Sequence, residues 1–204
     1  MSIKYQVIPT LATALILGAC GGSEPPPPPA PTGPTQAEIE QARADSIAAE
    51  RARRDAEAAA ERERQRREQE RLESARSDAR STLEARVHFD YDQSVITSAA
   101  EETLRRKIPI LRNSPTIRLR FEGHADERGS TEYNLALGSR RAESVQSFLA
   151  GFGISADRFS ATSFGEERPL VNRSDEAAWT QNRRVESVIA GGTIVVSEDD
   201  RDEL

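Results

Sequence analysis

The chain has 204 residues, a formal net charge of −6, 30% charged residues and only 5% aromatics. That is too polar for one globule of this length, so part of the chain is expected to lack a core. The mild acidity argues against nucleic acid as the main partner, and one cysteine, Cys20, excludes an intramolecular disulfide.

Residues 1–19 read as a signal peptide. Lys4 gives a short positive start, "VIPTLATALIL" (Val7–Leu17) is apolar, and Gly18 and Ala19 are the small residues a peptidase requires. Eleven residues including a proline are too few to cross about 30 Å of hydrocarbon as a helix. "LGAC" (Leu17–Cys20) resembles the bacterial lipobox, which implies lipidation of Cys20 by a diacylglycerol and an N-acyl chain such as palmitate. More than one buried chain is what stable anchoring requires. Gly21 is not the aspartate associated with inner-membrane retention, so the outer membrane, facing the periplasm, is the expected location.

Residues 20–35 form the anchor and a proline-rich tether, "SEPPPPPAPTGPT", expected to follow an extended polyproline II path of about 3.1 Å per residue. From 36 to 86 the composition turns to Ala, Arg and Glu. Apolar side chains larger than alanine shrink to Ile39, Ile47, Leu72 and Leu83, which reads as a segment without a core. Charges recur at helical spacing: Glu50 with Arg53 and Arg54, Glu61 with Arg64, Glu63 with Arg66 and Arg67, Glu68 with Arg71, Glu73 with Arg76. Each pair contributes only about 0.2–0.5 kcal/mol, but many of them on a helix-forming composition sustain a solvated helix, about 75 Å long for fifty residues. No apolar heptad follows Ile39 and Ile47, so a single charged helix is preferred to a coiled coil.

Residues 87–190 read as one globular domain. "VHFDY" is a short strand, and Ser98 with Glu101 reads as a capping box opening a helix that carries Leu104, Ile108 and Leu111. Pro109 is expected to kink or end that helix. "TIRLRFEG" alternates, with Ile117, Leu119 and Phe121 on one face and Arg118, Arg120 and Glu122 on the other. The loop "HADERGST" leads into a helix from Glu132 to Ala150 with Ala142, Val145, Leu149 and Phe152 on one stripe. "RFSATSFG" is a strand, "DEAAWTQNRR" a short helix and "VESVIA" a final strand. Helices interleaved with strands predict an α/β sandwich. Residues 191–204 read as a solvated acidic tail whose "RDEL" is no retrieval signal beside a bacterial lipobox.

The chemistry concentrates in Phe121–Val145. His124 and Asp126 supply two ligands where metal sites need three or four, and no nucleophile–base–orienter set has recognisable spacing. Neither a metal, a cofactor nor an enzymatic activity is assigned. A strand end, a glycine-containing loop and a helix N-terminus offer backbone N–H groups to an anion. Asp126 can accept from an ammonium and Arg141 can fork onto a carboxylate, which together would receive an amino-acid head group. The same two residues could equally form an internal ion pair. Arg128 and Arg140 read as surface residues without a role.

"EGHADERGSTEYNLALGSRRAESV", "SFGEERP" and "QNRRVE" resemble the OmpA-like peptidoglycan-binding domain, in the form found in wall-binding lipoproteins. The resemblance covers about residues 87–190 and implies a β-α-β-α-β sandwich with helices on a mixed sheet. It also implies non-covalent capture of the peptidoglycan stem peptide at the free end of diaminopimelate. On matching positions Asp126 would hold the ammonium and Arg141 the carboxylate. Gly123, His124 and Ala125 would set the loop backbone, and Asn134 would start the helix. Phe89, Asp90, Asn182 and Arg183 would form walls or supports. The implied protein tethers outer membrane to wall, with a periplasmic TolB partner and a part in cell division. The alternative is an envelope scaffold whose charged helix recruits partners.

Overall fold

The computed structural model describes residues 33–196. The signal peptide, Cys20, most of the proline tether and "SEDDRDEL" lie outside those residues.

Helix α1 covers Gln36–Glu84. Thr35 caps it in a reciprocal box: its backbone N–H donates to Glu38 Oε2 at 2.6 Å, and Glu38 N–H donates back to Thr35 Oγ1 at 3.4 Å. The chain divides into two compact units at Ala56/Glu57. In the first, Glu50 pairs with Arg53 and Arg54 at 3.9 and 3.0 Å. In the second, Glu63 meets Arg66 and Arg67 at 2.6 and 2.8 Å and Glu68 meets Arg71 at 3.1 Å. Glu61 accepts from Gln65 at 3.0 Å.

The segment is not wholly without a core. Ala79 and Leu83, one turn apart near the end of α1, are buried among the residues of the folded domain. Two apolar positions are too few to register as a pattern, yet they are enough to dock the last turns of a helix.

The domain then runs β1 (Val87–His88), α2 (Ser98–Asn113), β2 (Arg118–His124), α3 (Thr131–Gly151), a 3-10 turn (Ala156–Arg158), β3 (Phe159–Gly165), α4 (Glu176–Asn182) and β4 (Arg184–Gly191). The sheet order is β1-β4-β2-β3. β2 and β3 are parallel, with α3 as the crossover, and the other two pairings are antiparallel. This is the expected α/β architecture with helices on a mixed sheet. Alternation on β2 sends Leu119 and Phe121 into the core with Leu104, Leu111, Val145 and Leu149. Arg120, Glu122 and His124 occupy the opposite face.

Three local expectations are corrected. The cap of α2 is Thr97, whose hydroxyl accepts from Ala100 N–H at 3.2 Å, so Ser98 is already helical. Pro109 does not end α2: it is exposed, so the carbonyl it leaves unpaired meets water and the helix continues to Asn113. β1 is only two residues long, because beyond His88 the pairing with the chain entering β4 reduces to Phe89 N–H donating to Arg183 O at 3.0 Å.

Cations close the helix ends. Arg158 donates to Leu111 O, Ser114 O and Ile117 O at 2.9, 2.8 and 2.9 Å, fastening the end of α2 to the start of β2. Lys107, fully buried, donates to Leu83 O, Ala85 O and Ser187 Oγ at 2.7, 2.6 and 2.8 Å, tying the end of α1 to β4. Burial pushes its pKa down to about 7, with Arg106 adding to that and Glu84 opposing it. Lys107 is thus less readily protonated folded than unfolded. Between about pH 7 and the ordinary lysine value the unfolded chain binds more protons, so this group makes stability rise with pH. Lys107→Met should remove that rise. Urea midpoints of both proteins at pH 7 and pH 10 measure it, and equal pH dependence in the two would refute it.

Candidate functional site

β2 ends at His124 and the chain turns through 125–130 into α3. Gly129, at φ 115°, takes the left-handed conformation that the turn needs. Ser130 caps α3 by accepting from Tyr133 N–H at 3.2 Å. Asn134, also buried, clamps the loop through Nδ2, which donates to Asp126 O at 3.1 Å, Arg128 O at 3.3 Å and Glu166 Oε2 at 2.7 Å. The loop carbonyls are therefore held from the helix that follows them.

Over this frame lies a cavity of about 120 Å³ lined by Tyr91, Asp92, Asp126, Arg128, Gly129, Tyr133, Asn134, Leu137 and Arg141. Asp126, Asn134 and Arg141 were expected there. Tyr91, Asp92, Arg128, Gly129, Tyr133 and Leu137 were not. Tyr91 and Asp92 arrive on the loop after β1, a contact that only the tertiary fold creates. The Tyr133 hydroxyl donates to the Asp92 carboxylate across the rim.

Arg141 is fully buried on α3. Its Nε donates to Gln93 O at 2.8 Å, Nη1 to His124 O at 2.8 Å and Nη2 to Asp90 O at 3.1 Å, and the Phe89 ring centre lies 5.4 Å from it. Burial pushes its pKa down to about 10, partly opposed by Asp126, so the group stays charged at neutral pH. No carboxylate among the described residues forms an ion pair with it. This buried guanidinium at the wall of a cavity is bonded only to carbonyls, and Asp126 and Asp92 act on its charge only through space.

Asp126 is not its partner. Arg128 donates to Asp126 from its backbone N–H at 3.1 Å, from Nε at 3.0 Å and from Nη2 at 2.7 Å, and Arg183 adds Nη1 at 3.3 Å. Burial alone would raise the Asp126 pKa. The side-chain and backbone bonds from Arg128 and the bond from Arg183 outweigh it, holding the carboxyl below its usual value. Arg128 is therefore no idle surface residue. Its guanidinium lies 4.0 Å from the ring centre of Tyr91 and 4.1 Å from that of Trp179, while its side chain remains 28% exposed. Arg140, in contrast, lies on the surface near the Tyr133 ring.

The remaining expected residues support the site without lining it. The carbonyls of Phe89 and Asp90 accept from Arg183 and Arg141. Arg183 also bonds Glu176 at 2.9 Å, linking α4 to the Asp126 loop. Ala125 N–H donates to Gly165 O at 2.8 Å. Asn182 works elsewhere, accepting from Leu170 and Val171 N–H at 2.8 and 2.9 Å. His124 contributes its carbonyl to Arg141, but its imidazole lies on the far face of the sheet, stacked on Phe164 at 5.6 Å. Burial first, then Arg184, pushes its pKa down to about 4, so the ring is neutral at physiological pH. His124 and Asp126 are not a pair.

Residues 88–183 match the OmpA family. Over 106 residues the chain is 44% identical to the peptidoglycan-associated lipoprotein of Agrobacterium fabrum, covering 52% of this chain and 60% of that one. It is 43% identical to its namesake in Brucella melitensis, covering 52% and 63%. The crystal structure of the peptidoglycan-associated lipoprotein from Burkholderia pseudomallei aligns at 38% identity and a TM-score of 0.49, over 50% of this chain and 87% of that one. The chain spans less than two thirds of the length of these curated relatives.

Proposed function

With residues 88–183 established as an OmpA-family domain, we propose that the chain is an outer-membrane lipoprotein that binds the peptidoglycan stem peptide without cleaving it. Arg141 carries the reading: a buried, charged guanidinium at a cavity wall with no carboxylate of its own calls for an anion. The free end of diaminopimelate offers a carboxylate beside an ammonium. Asp126, at the same cavity, supplies the acceptor for the ammonium. Arg128 occupies that carboxylate in the free protein, and being partly exposed it can turn aside, while Arg183, only 7% exposed, keeps its bond.

Lipid on Cys20 would hold the other end. Two attachments on one chain raise the local concentration of wall at the domain, so modest affinity suffices. The names of the relatives support peptidoglycan as the ligand. A periplasmic TolB partner and a part in cell division extend the same reading.

Asp126→Asn tests it. The amide keeps the shape of the side chain but loses the charge that an ammonium needs. Retention on purified sacculi should fall about thirty-fold or more, as expected when one half of a desolvated charged contact worth about 2–5 kcal/mol is lost. Undiminished retention by a folded variant would remove Asp126 from the site.

A further inference from the structure

We propose that Glu122, His124 and Glu186 form a site for a divalent transition-metal ion of the zinc class, on the sheet face opposite the core. None of the three lines the Asp126–Arg141 cavity, so the site is separate from the peptide-binding reading.

Glu122 and His124 stand two residues apart on β2 and therefore share a face. The antiparallel register places Glu186 of β4 directly opposite Glu122. One ligand atom from each of the three lies within 4.8 Å of the others. Along the sequence near His124 there are too few ligands to assign a metal; Glu186 comes from a strand that only the fold brings alongside.

The imidazole points to a ligand independently of the carboxylates. His124 is 2% exposed, and neither Nδ1 nor Nε2 has a hydrogen-bond partner. Buried polar atoms are almost always paired, and an imidazole with both nitrogens unpaired requires an explanation. Stacking on Phe164, itself covered by Arg168 at 3.8 Å, fixes the ring plane. A neutral, immobilised imidazole is the form that coordinates a metal.

The carboxylates also have coordinating capacity left. Arg120 bonds Oε1 of Glu122, and Arg184 and Arg86 bond Oε1 of Glu186, at 2.8, 2.7 and 3.2 Å. Oε2 of each remains for a further partner. These three guanidiniums also set the affinity. Arg120 and Arg86 are 44% and 47% exposed and can turn to water as the ion takes over their role, whereas Arg184, 4% exposed, stays. One imidazole nitrogen and two carboxylate oxygens, completed by water, suit Zn²⁺ and its neighbours; calcium requires six to eight oxygens. The ion would clamp the end of β2 to β4, one residue before the loop that carries Asp126.

The test uses the full chain, stripped with chelator and titrated with Zn²⁺ in a calorimeter, with Co²⁺ as the spectroscopic probe. One saturable site is expected. Glu122→Gln and Glu186→Gln, both at partly exposed positions, should each weaken it at least ten-fold while leaving the far-ultraviolet circular dichroism unchanged, and His124→Gln should abolish it. Co²⁺ should show ligand-field bands without a sulfur charge-transfer band, which separates the site from the Cys20 thiol of unlipidated chain. Absence of saturable Zn²⁺ binding overturns the proposal. So does binding that both folded glutamine variants retain in full, or a Co²⁺ spectrum of thiolate character alone.

Discussion

Arg141→Met is expected to abolish retention on sacculi and to destabilise the domain by about 3–5 kcal/mol. The two losses have different origins. Stability falls because the carbonyls of Asp90, Gln93 and His124 lose their donors together. Each unpaired buried group costs about 1–3 kcal/mol, reduced where relaxation admits water. Binding falls because the cavity loses its only guanidinium without an internal carboxylate partner among the described residues. Arg141→Lys separates them. An ammonium restores the charge but gathers its donors on one nitrogen, whereas the guanidinium spreads them over three carbonyls, two on the loop after β1 and one at the end of β2. The lysine variant should therefore recover part of the stability and little of the binding. Urea unfolding and sacculus retention, run on both variants, read the two effects. A methionine variant as stable as the parent and equally retained would show that Arg141 neither builds the site nor serves it.

The sequence made the framework legible where a residue's neighbours along the chain decide its environment. Ile117, Leu119 and Phe121 alternate because β2 has one buried face, and Ala142, Val145 and Leu149 recur because α3 has one buried stripe; all six are buried. Asp126 and Arg141 were recognisable as chemistry and do reach one cavity. What their spacing could not reveal is that they are not bonded to each other. Asp126 prefers Arg128, two residues away, whose guanidinium is held between Tyr91, on the loop after β1, and Trp179 of α4. Nor could spacing show that Glu186 stands beside Glu122, which is a matter of strand register. Thr97 was missed as a cap for a local reason: Ser98 next to it has the same capping chemistry, and only the backbone conformation selects between them.

Gly123→Ala should be as damaging as any single methyl added to this chain. From its place in the motif Gly123 was expected to shape the loop backbone, yet its effect is on packing. A Cβ there would sit 1.9 Å from the carbonyl oxygen of Gly138 and 2.6 Å from its carbonyl carbon. Both obstacles are backbone, so no rotamer change relieves the clash, and α3 must move off β2. Destabilisation of about 3 kcal/mol or more follows, at the upper end of what overpacking costs. The displacement also reaches function, because α3 carries Asn134 and Arg141 while β2 delivers His124, whose carbonyl Arg141 grips. Even the folded fraction should bind wall weakly. Gly138→Ala first meets Ser163 Oγ at 2.2 Å, a side chain that can rotate, although Gly123 O at 2.9 Å still resists. It should therefore be milder. Gly151→Ala, with nothing within 4 Å, should be neutral or slightly stabilising. Thermal unfolding of the three variants should rank them in that order. If Gly123→Ala melted with Gly151→Ala, β2 and α3 would not be in the close contact on which the position of Arg141 depends.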